Sequence, residues 1–174
     1  MNKYEEIDKL ESAKRQLIVA IRIFFEGKDP IAVHTLAAAS QGILIDLGKS
    51  KNVKSMLIDF ELIRPEKRKE VNDKLREVQN YLKHADRDPN TKLKYHPDFT
   101  SLFIFDACQI YEQITRTKFA EMVGFISWFY IKYPDLMIEG EIKEKVMPLI
   151  EDIDPNDHKL ILEAIDIFEK QNVK

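Results

Sequence analysis

The chain has 174 residues, enough for one domain with a real core, and its 44% hydrophobic and 33% charged side chains are ordinary for a folded protein. A net charge of −3 excludes a chain that grips nucleic acid by bulk positive charge and leaves only a local basic patch for that purpose. Cys108 is the only cysteine, so no internal disulfide forms and a reducing compartment is expected. The acidic, amphipathic start Met1-Asn2-Lys3-Tyr4-Glu5-Glu6 has no signal-peptide pattern. No apolar run is expected to reach the length of a membrane span; the richest, Phe119 to Tyr133, is bounded or interrupted by Lys118, Glu121 and Lys132. These features predict a soluble, cytoplasmic protein without membrane contact.

Only 5 glycines occur, and helical periodicity dominates. The first helix is expected from Lys3 to Glu26, with Ile7, Leu10, Leu17, Ile21 and Phe24 on its apolar face and Gly27 ending it. Asp29-Pro30 supplies an N-cap and a proline for the first turn of a second helix, which should run to Leu47 and stop at Gly48. Leu36, Ser40, Ile43 and Leu47 line one side of it, and Ala38 and Ile45 the other, with His34 and Gln41. Apolar residues on both sides predict a central helix. Residues 49–63 fit either a short helix or an extended piece.

Pro65 opens a third helix that should reach Ala85 or Asp86, because Pro89 biases Asp88 away from helix. Its core stripe is Val71, Leu75, Val78, Leu82 and Ala85. Residues 88–97 read as a polar loop with a turn at Asn90-Thr91. Helices are expected from Asp98 to Thr115 and from Thr117 to Lys132, the second stopped by Pro134. Two more, Glu141 to Ile150 and Pro155 to Lys170, close the chain, and Asp154-Pro155 repeats the cap of Asp29-Pro30. The seam at residues 133–140 divides a bundle, residues 1–133, from a C-terminal helical extension, residues 134–174, packed on the same domain. The fold class is therefore all-α, an up-and-down helical bundle with that extension.

Stepping about 100° per residue from Val71 keeps the core stripe of the third helix within about 40° of zero. Arg76, Asn80, Lys83, His84 and Arg87 then fall on the opposite face. Asn80 and His84, four residues apart, can touch one surface together. A solvated face explains such a pattern by itself, and cations in the last turn complement the helix dipole.

Gln79-Asn80-Tyr81-Leu82-Lys83-His84 resembles the signature of HEPN domains, in which an Arg, often followed by Asn, precedes a His by four to six intervening residues. Asn80 and His84 match, and Gln79 stands where the Arg should be. Residues 20–27 and 29–39 resemble the paired first helices of that fold, and the likeness spans residues 5–118. The segments His34-Thr35-Leu36-Ala37-Ala38-Ala39 and Lys83-His84-Ala85 also resemble those of a group of uncharacterised bacterial proteins.

The HEPN resemblance implies a HEPN-like bundle that homodimerises and, in active members, cleaves RNA without metal or other cofactor. His84 would act as general acid or base, and Asn80 would orient a partner. Gln79, Arg76, Lys83 and Arg87 would meet the substrate phosphate, but Gln79 carries no charge. Losing such a contact costs about 100-fold or more in rate. The expected function is therefore a helical interaction or dimerisation module with a degenerate motif, in stress or defence, with a protein partner. A metal-independent ribonuclease using His84 and Asn80 stands second.

A third reading places a small ligand or metal at His34 and His84, with His96, Asp86, Asp88 and His158 as further donors. No pair of these has a strong zinc-site spacing. Cys108, among Phe103, Ile104, Phe105, Ala107 and Ile110, reads as a core thiol. Phe125, Trp128, Phe129, Tyr130 and Tyr133 read as packing for the C-terminal helices rather than as a ligand pocket. Glu151, Asp152, Asp154 and Asp157 read as surface charge and capping.

Overall fold

In the computed structural model, which describes residues 4–59, 65–84, 86, 89–136, 140–150 and 152–172, the chain is an all-α helical bundle. Seven α-helices and one short 3-10 turn follow one another, with no strand among the described residues. Met1, Asn2, Lys3, residues 60–63, Ala85, Arg87, Asp88 and Glu151, which the sequence reading invoked, lie outside the described residues.

Helix α1 (Lys9–Phe25) starts later than its periodicity suggested, because Asp8 caps it: the carboxylate accepts the Glu11 amide at 2.7 Å. Ile7 therefore precedes the helix and stays 48% exposed, outside the face it was assigned to. Leu17 and Ile21 are buried as expected, joined by Ala13, Ala20 and Phe25. Gly27 ends the helix at φ 64°, and the Lys28 amide closes the turn on Ile23 O at 3.0 Å.

Helix α2 (Pro30–Lys49) begins as expected, with the Asp29 carboxylate accepting the Ile31 amide at 2.8 Å and the Ala32 amide at 3.3 Å. Gly48 does not stop it. The helix continues to Lys49, and Gly48 admits Val53 so closely that a methyl group at 48 would stand 3.2 Å from Val53 Cβ. Val33, Ala37, Ala38 and Leu44 are buried between α1 and α4 (Phe99–Thr115). By length and composition α2 is also long and apolar enough to cross a membrane, at mean hydropathy 1.3, with 44% of that window buried in the fold. This corrects the expectation that no run approaches that length: the alanines raise hydropathy without adding the bulk that marked Phe119 to Tyr133.

Asp98 stands at the N-cap of α4 rather than inside it, and Phe99 is half exposed. Helix α5 (Ala120–Lys132) starts three residues later than Thr117. Arg116 turns left-handed at φ 59°, and the Thr115 and Thr117 hydroxyls bond each other at 2.9 Å, which ends α4 locally. A 3-10 turn (Pro134–Leu136) follows, then α6 (Glu141–Ile150), at the predicted bounds. Helix α7 (His158–Asn172) is not capped by Asp154. That carboxylate folds back on the Asn156 amide at 2.8 Å in a turn, and Asp157 takes the cap by accepting the Leu160 amide at 3.0 Å.

Helix α7 packs on α5 and α1 through Ile161 and Ile165. Trp128 on α5 donates its indole N–H to Pro155 O at 2.8 Å. Arg22 on α1 ties the three helices together, meeting Glu121 at 2.7 Å and Asp166 and Glu169 at 2.9 Å. Cys108 is fully buried, and burial pushes its thiol well up from the ordinary range.

One polar knot sits inside this core. The buried Asp106 carboxylate on α4 accepts from Gln41 Nε2 at 2.7 Å, Ser55 Oγ at 2.7 Å and the Met56 amide at 2.6 Å. It joins α2, α4 and the segment after α2. Asp106→Ala would leave three donors without their acceptor, each costing about 1–3 kcal/mol. A loss of at least about 3 kcal/mol in urea unfolding is expected, against about 1 kcal/mol or less for Asp46→Ala on the surface.

Candidate functional site

Helix α3 (Pro65–Lys83) carries the motif and differs from every helix around it. None of its described side chains is buried. Its expected core stripe, Val71, Leu75, Val78 and Leu82, is only partly covered. The helix packs chiefly on α2. It ends two or three residues before the expected Ala85 or Asp86, and the His84 amide closes it on Asn80 O at 3.1 Å.

The contact between α3 and α2 is specific at Gln79. Its side-chain amide donates to Ala38 O at 3.1 Å, beside Gly42. Gln79 is therefore engaged in helix docking and faces away from Asn80. Counting about 100° per residue, Gln79 lies about 100° round the helix from Asn80.

Asn80 and His84 do share one cleft of about 520 Å³ with Asp73, Lys74, Glu77, Tyr81, Thr91, Lys92 and Leu93. Its outer wall is the loop before α4, held by the Tyr81 hydroxyl donating to Thr91 O at 2.9 Å. Arg76 and Lys83 are exposed but do not line the cleft. Arg76 lies toward α2 instead. There Asp46 is held below the ordinary carboxylate range, first by its hydrogen bond from Lys49, with Arg76 adding the smallest share. The structure thus brings Asn80 and His84 together and leaves Gln79, Arg76 and Lys83 outside their cleft. Arg87 lies outside the described residues.

The exposed face of α3 is ordered by charge. Lys69, Arg76 and Lys83 form one stripe, and Glu66, Glu70, Asp73 and Glu77 form the next, with Asn80 on the boundary. Lys69 bridges the two stripes, reaching Asp73 at 2.6 Å. The acidic stripe is the one that borders the His84 cleft.

His34 and His84 do not meet in one cavity. His34 is 1% exposed and lies under the opposite edge of α3, at the floor of a cavity of about 390 Å³. Val71, Leu75, Val78, Phe99 and Phe103 wall that cavity, and Lys74, Glu77, Lys94 and His96 rim it. No cluster of three or more His, Cys, Asp or Glu side chains suited to a metal occurs among the described residues.

Two partners of His34 carry no sequence signal, because only the fold brings them near. Its Nδ1 lies 3.2 Å from Thr100 Oγ1, and Thr100 Oγ1 lies 2.6 Å from the Tyr95 hydroxyl, which donates to Pro30 O at 3.0 Å. Burial lowers the imidazole pKa to about 4. No family model matches the chain, and no curated protein or solved structure does either.

The folded-state pKa of His34 is depressed below the unfolded value, so its contribution to stability is complete above about pH 6.5 and is lost as pH falls toward about 4. A shift of this size corresponds to roughly 2–4 kcal/mol. His34→Phe, folded at neutral pH, should flatten the acid limb of the stability curve between those values in urea titrations at stepped pH. An unchanged limb would place the acid sensitivity elsewhere.

Proposed function

We propose that this chain is a helical interaction module that pairs with a second copy of itself through the exposed face of α3. The paired charge stripes on α3 carry this reading. A two-fold axis running along α3 sets two copies parallel, and each cationic stripe then opposes the acidic stripe of the other copy. An antiparallel pair would oppose like charges. The Asn80 side chains meet at the centre, with His84 beside them. The resemblance to HEPN domains, which dimerise about their motif, supports the same surface. A role in stress or defence belongs to this proposal through that resemblance, and a cytoplasmic setting through the lone cysteine, which suits a reducing compartment.

Exposed ion pairs each contribute little, so the pairing is weak and salt-sensitive. In sedimentation velocity a dimer is expected at about 20 mM salt and a monomer at about 500 mM, where the Debye length drops below about 5 Å. The triple variant Lys69→Glu, Arg76→Glu, Lys83→Glu should be monomeric alone. It should form a heterodimer with the variant Glu70→Lys, Asp73→Lys, Glu77→Lys. A dimer that both variants keep, or a monomer at low salt, overturns the reading.

A second reading rests on Asn80 and His84 sharing a cleft: a metal-independent ribonuclease with His84 as general acid or base. The cleft offers Lys74 and Lys92 to a phosphate but also presents Asp73 and Glu77. Gln79 supplies no charge. Slow turnover at best is expected of such a site. On this reading His84→Ala abolishes cleavage of a single-stranded RNA while the circular dichroism spectrum is unchanged. Cleavage that persists at the parent rate removes His84 from the chemistry.

A further inference from the structure

The cavity floored by His34 is a built site. Two hydroxyls and a backbone carbonyl fix where its protons lie. Pro30 O can only accept, so the Tyr95 hydroxyl gives it its one hydrogen. The 2.6 Å contact therefore runs from the Thr100 hydroxyl to the Tyr95 oxygen, and the 3.2 Å contact from the His34 Nδ1–H to Thr100 Oγ1. That proton order makes His34 Nε2 a lone-pair acceptor.

Nε2 is buried and has no hydrogen-bond partner among the described residues. A buried polar atom left in this state costs about 1–3 kcal/mol. The ring edge carrying Nδ1 is turned to Thr100, which is not part of the cavity lining, and Phe103 packs against the ring at 4.8 Å. The walls around the floor are aliphatic and aromatic, and the rim carries Lys74 and Lys94 against the single carboxylate of Glu77. An apolar chamber of small-molecule size with one fixed acceptor at its base and a cationic rim has the make-up of a ligand site.

We propose that this cavity binds a small amphiphilic molecule with an apolar ring-sized body. One hydroxyl or N–H at its inner end donates to His34 Nε2, and an anionic group at its outer end meets Lys74 and Lys94. The inner donor satisfies the orphaned nitrogen, and the ring fills the space between α3 and α4 that the partly covered Val71, Leu75 and Val78 leave open. A cation is the wrong occupant, because His34 offers one ligand and no second donor joins it from the walls.

Isothermal titration calorimetry with three probes tests this on the full chain. 4-Hydroxyphenylacetate has both polar ends, phenylacetate lacks the inner donor, and 4-ethylphenol lacks the anion. The first should bind about tenfold or more tighter than either of the others, the worth of one good hydrogen bond or ion contact. Lys94→Ala should weaken the two carboxylates and leave 4-ethylphenol unchanged. Val78→Trp, on the half-exposed α3, should fill the chamber and abolish binding with an unchanged circular dichroism spectrum. His34→Phe should remove the preference for the hydroxyl. If His34→Phe does not fold, the probe comparison and Val78→Trp decide alone. Failure of all three probes to bind, equal binding of all three, or an affinity that Val78→Trp leaves intact would overturn the proposal. None of these readouts depends on dimerisation.

Discussion

The burial of α2 on two sides is the constraint on which the rest depends. A helix enclosed by α1 and α4 must find a partner for every polar group it carries, because an unpaired one is costly away from water. Ser40 meets this by donating to Ala13 O on α1 at 2.8 Å, and Gln41 by donating to the Asp106 carboxylate. The small residues Ala37 and Ala38 let the neighbouring backbones approach. His34, which lines the cavity under α3, is where the accounting fails by one atom among the described residues. The same helix also supplies Ala38 O, which receives Gln79. The placement of α3 is thus written largely by α2.

Helix α3 cannot repay α2 in kind. Burying a Val or Leu side chain fully contributes about 1.5–3 kcal/mol, and none of its described apolar residues reaches full burial. A narrow stripe on a heavily charged helix holds it at the edge of the bundle, with the chamber over His34 on one flank and the Asn80–His84 cleft on the other. Lys74 and Glu77 border both spaces. Whatever fills the chamber therefore also braces the helix that carries the outer charge stripes.

Much of the architecture was legible because it rests on local chemistry. The Asp29-Pro30 start, the glycine at 27, the bounds of α6 and the position of the helices all follow from caps, breakers and periodicity. The errors are local too, and each has a competing residue. Asp8 outbids Lys3 as a start, Asp157 outbids Asp154 as a cap, and Gly48 serves close packing against Val53 instead of ending a helix. The site was legible in part. Asn80 and His84 share a surface because they are four residues apart on one helix. The Thr100–Tyr95 relay and the separation of His34 from His84 were not legible, since they depend on how a loop and two helices meet. Helical phase puts Arg76 on one face with Asn80, but phase alone does not say which side chains line a cleft.

Gln79, the position at which the resemblance to HEPN domains would put an Arg, is more than a missing charge. Its amide is turned toward the backbone of α2, and the space there is shaped by Gly42 and Ala38. A guanidinium at 79 would meet one carbonyl with five donors to satisfy, and would lose hydration without a carboxylate to replace it. The environment at this position suits a neutral amide. Arg76, about 60° further round the helix, comes nearer to Asn80 in phase but does not line the His84 cleft. The cations that do line the His84 cleft, Lys74 and Lys92, stand there beside the carboxylates of Asp73 and Glu77. Under the proposed reading, the docking of α3 through Gln79 and the absence of a charge at that position have the same origin, which favours a surface that binds over one that cleaves.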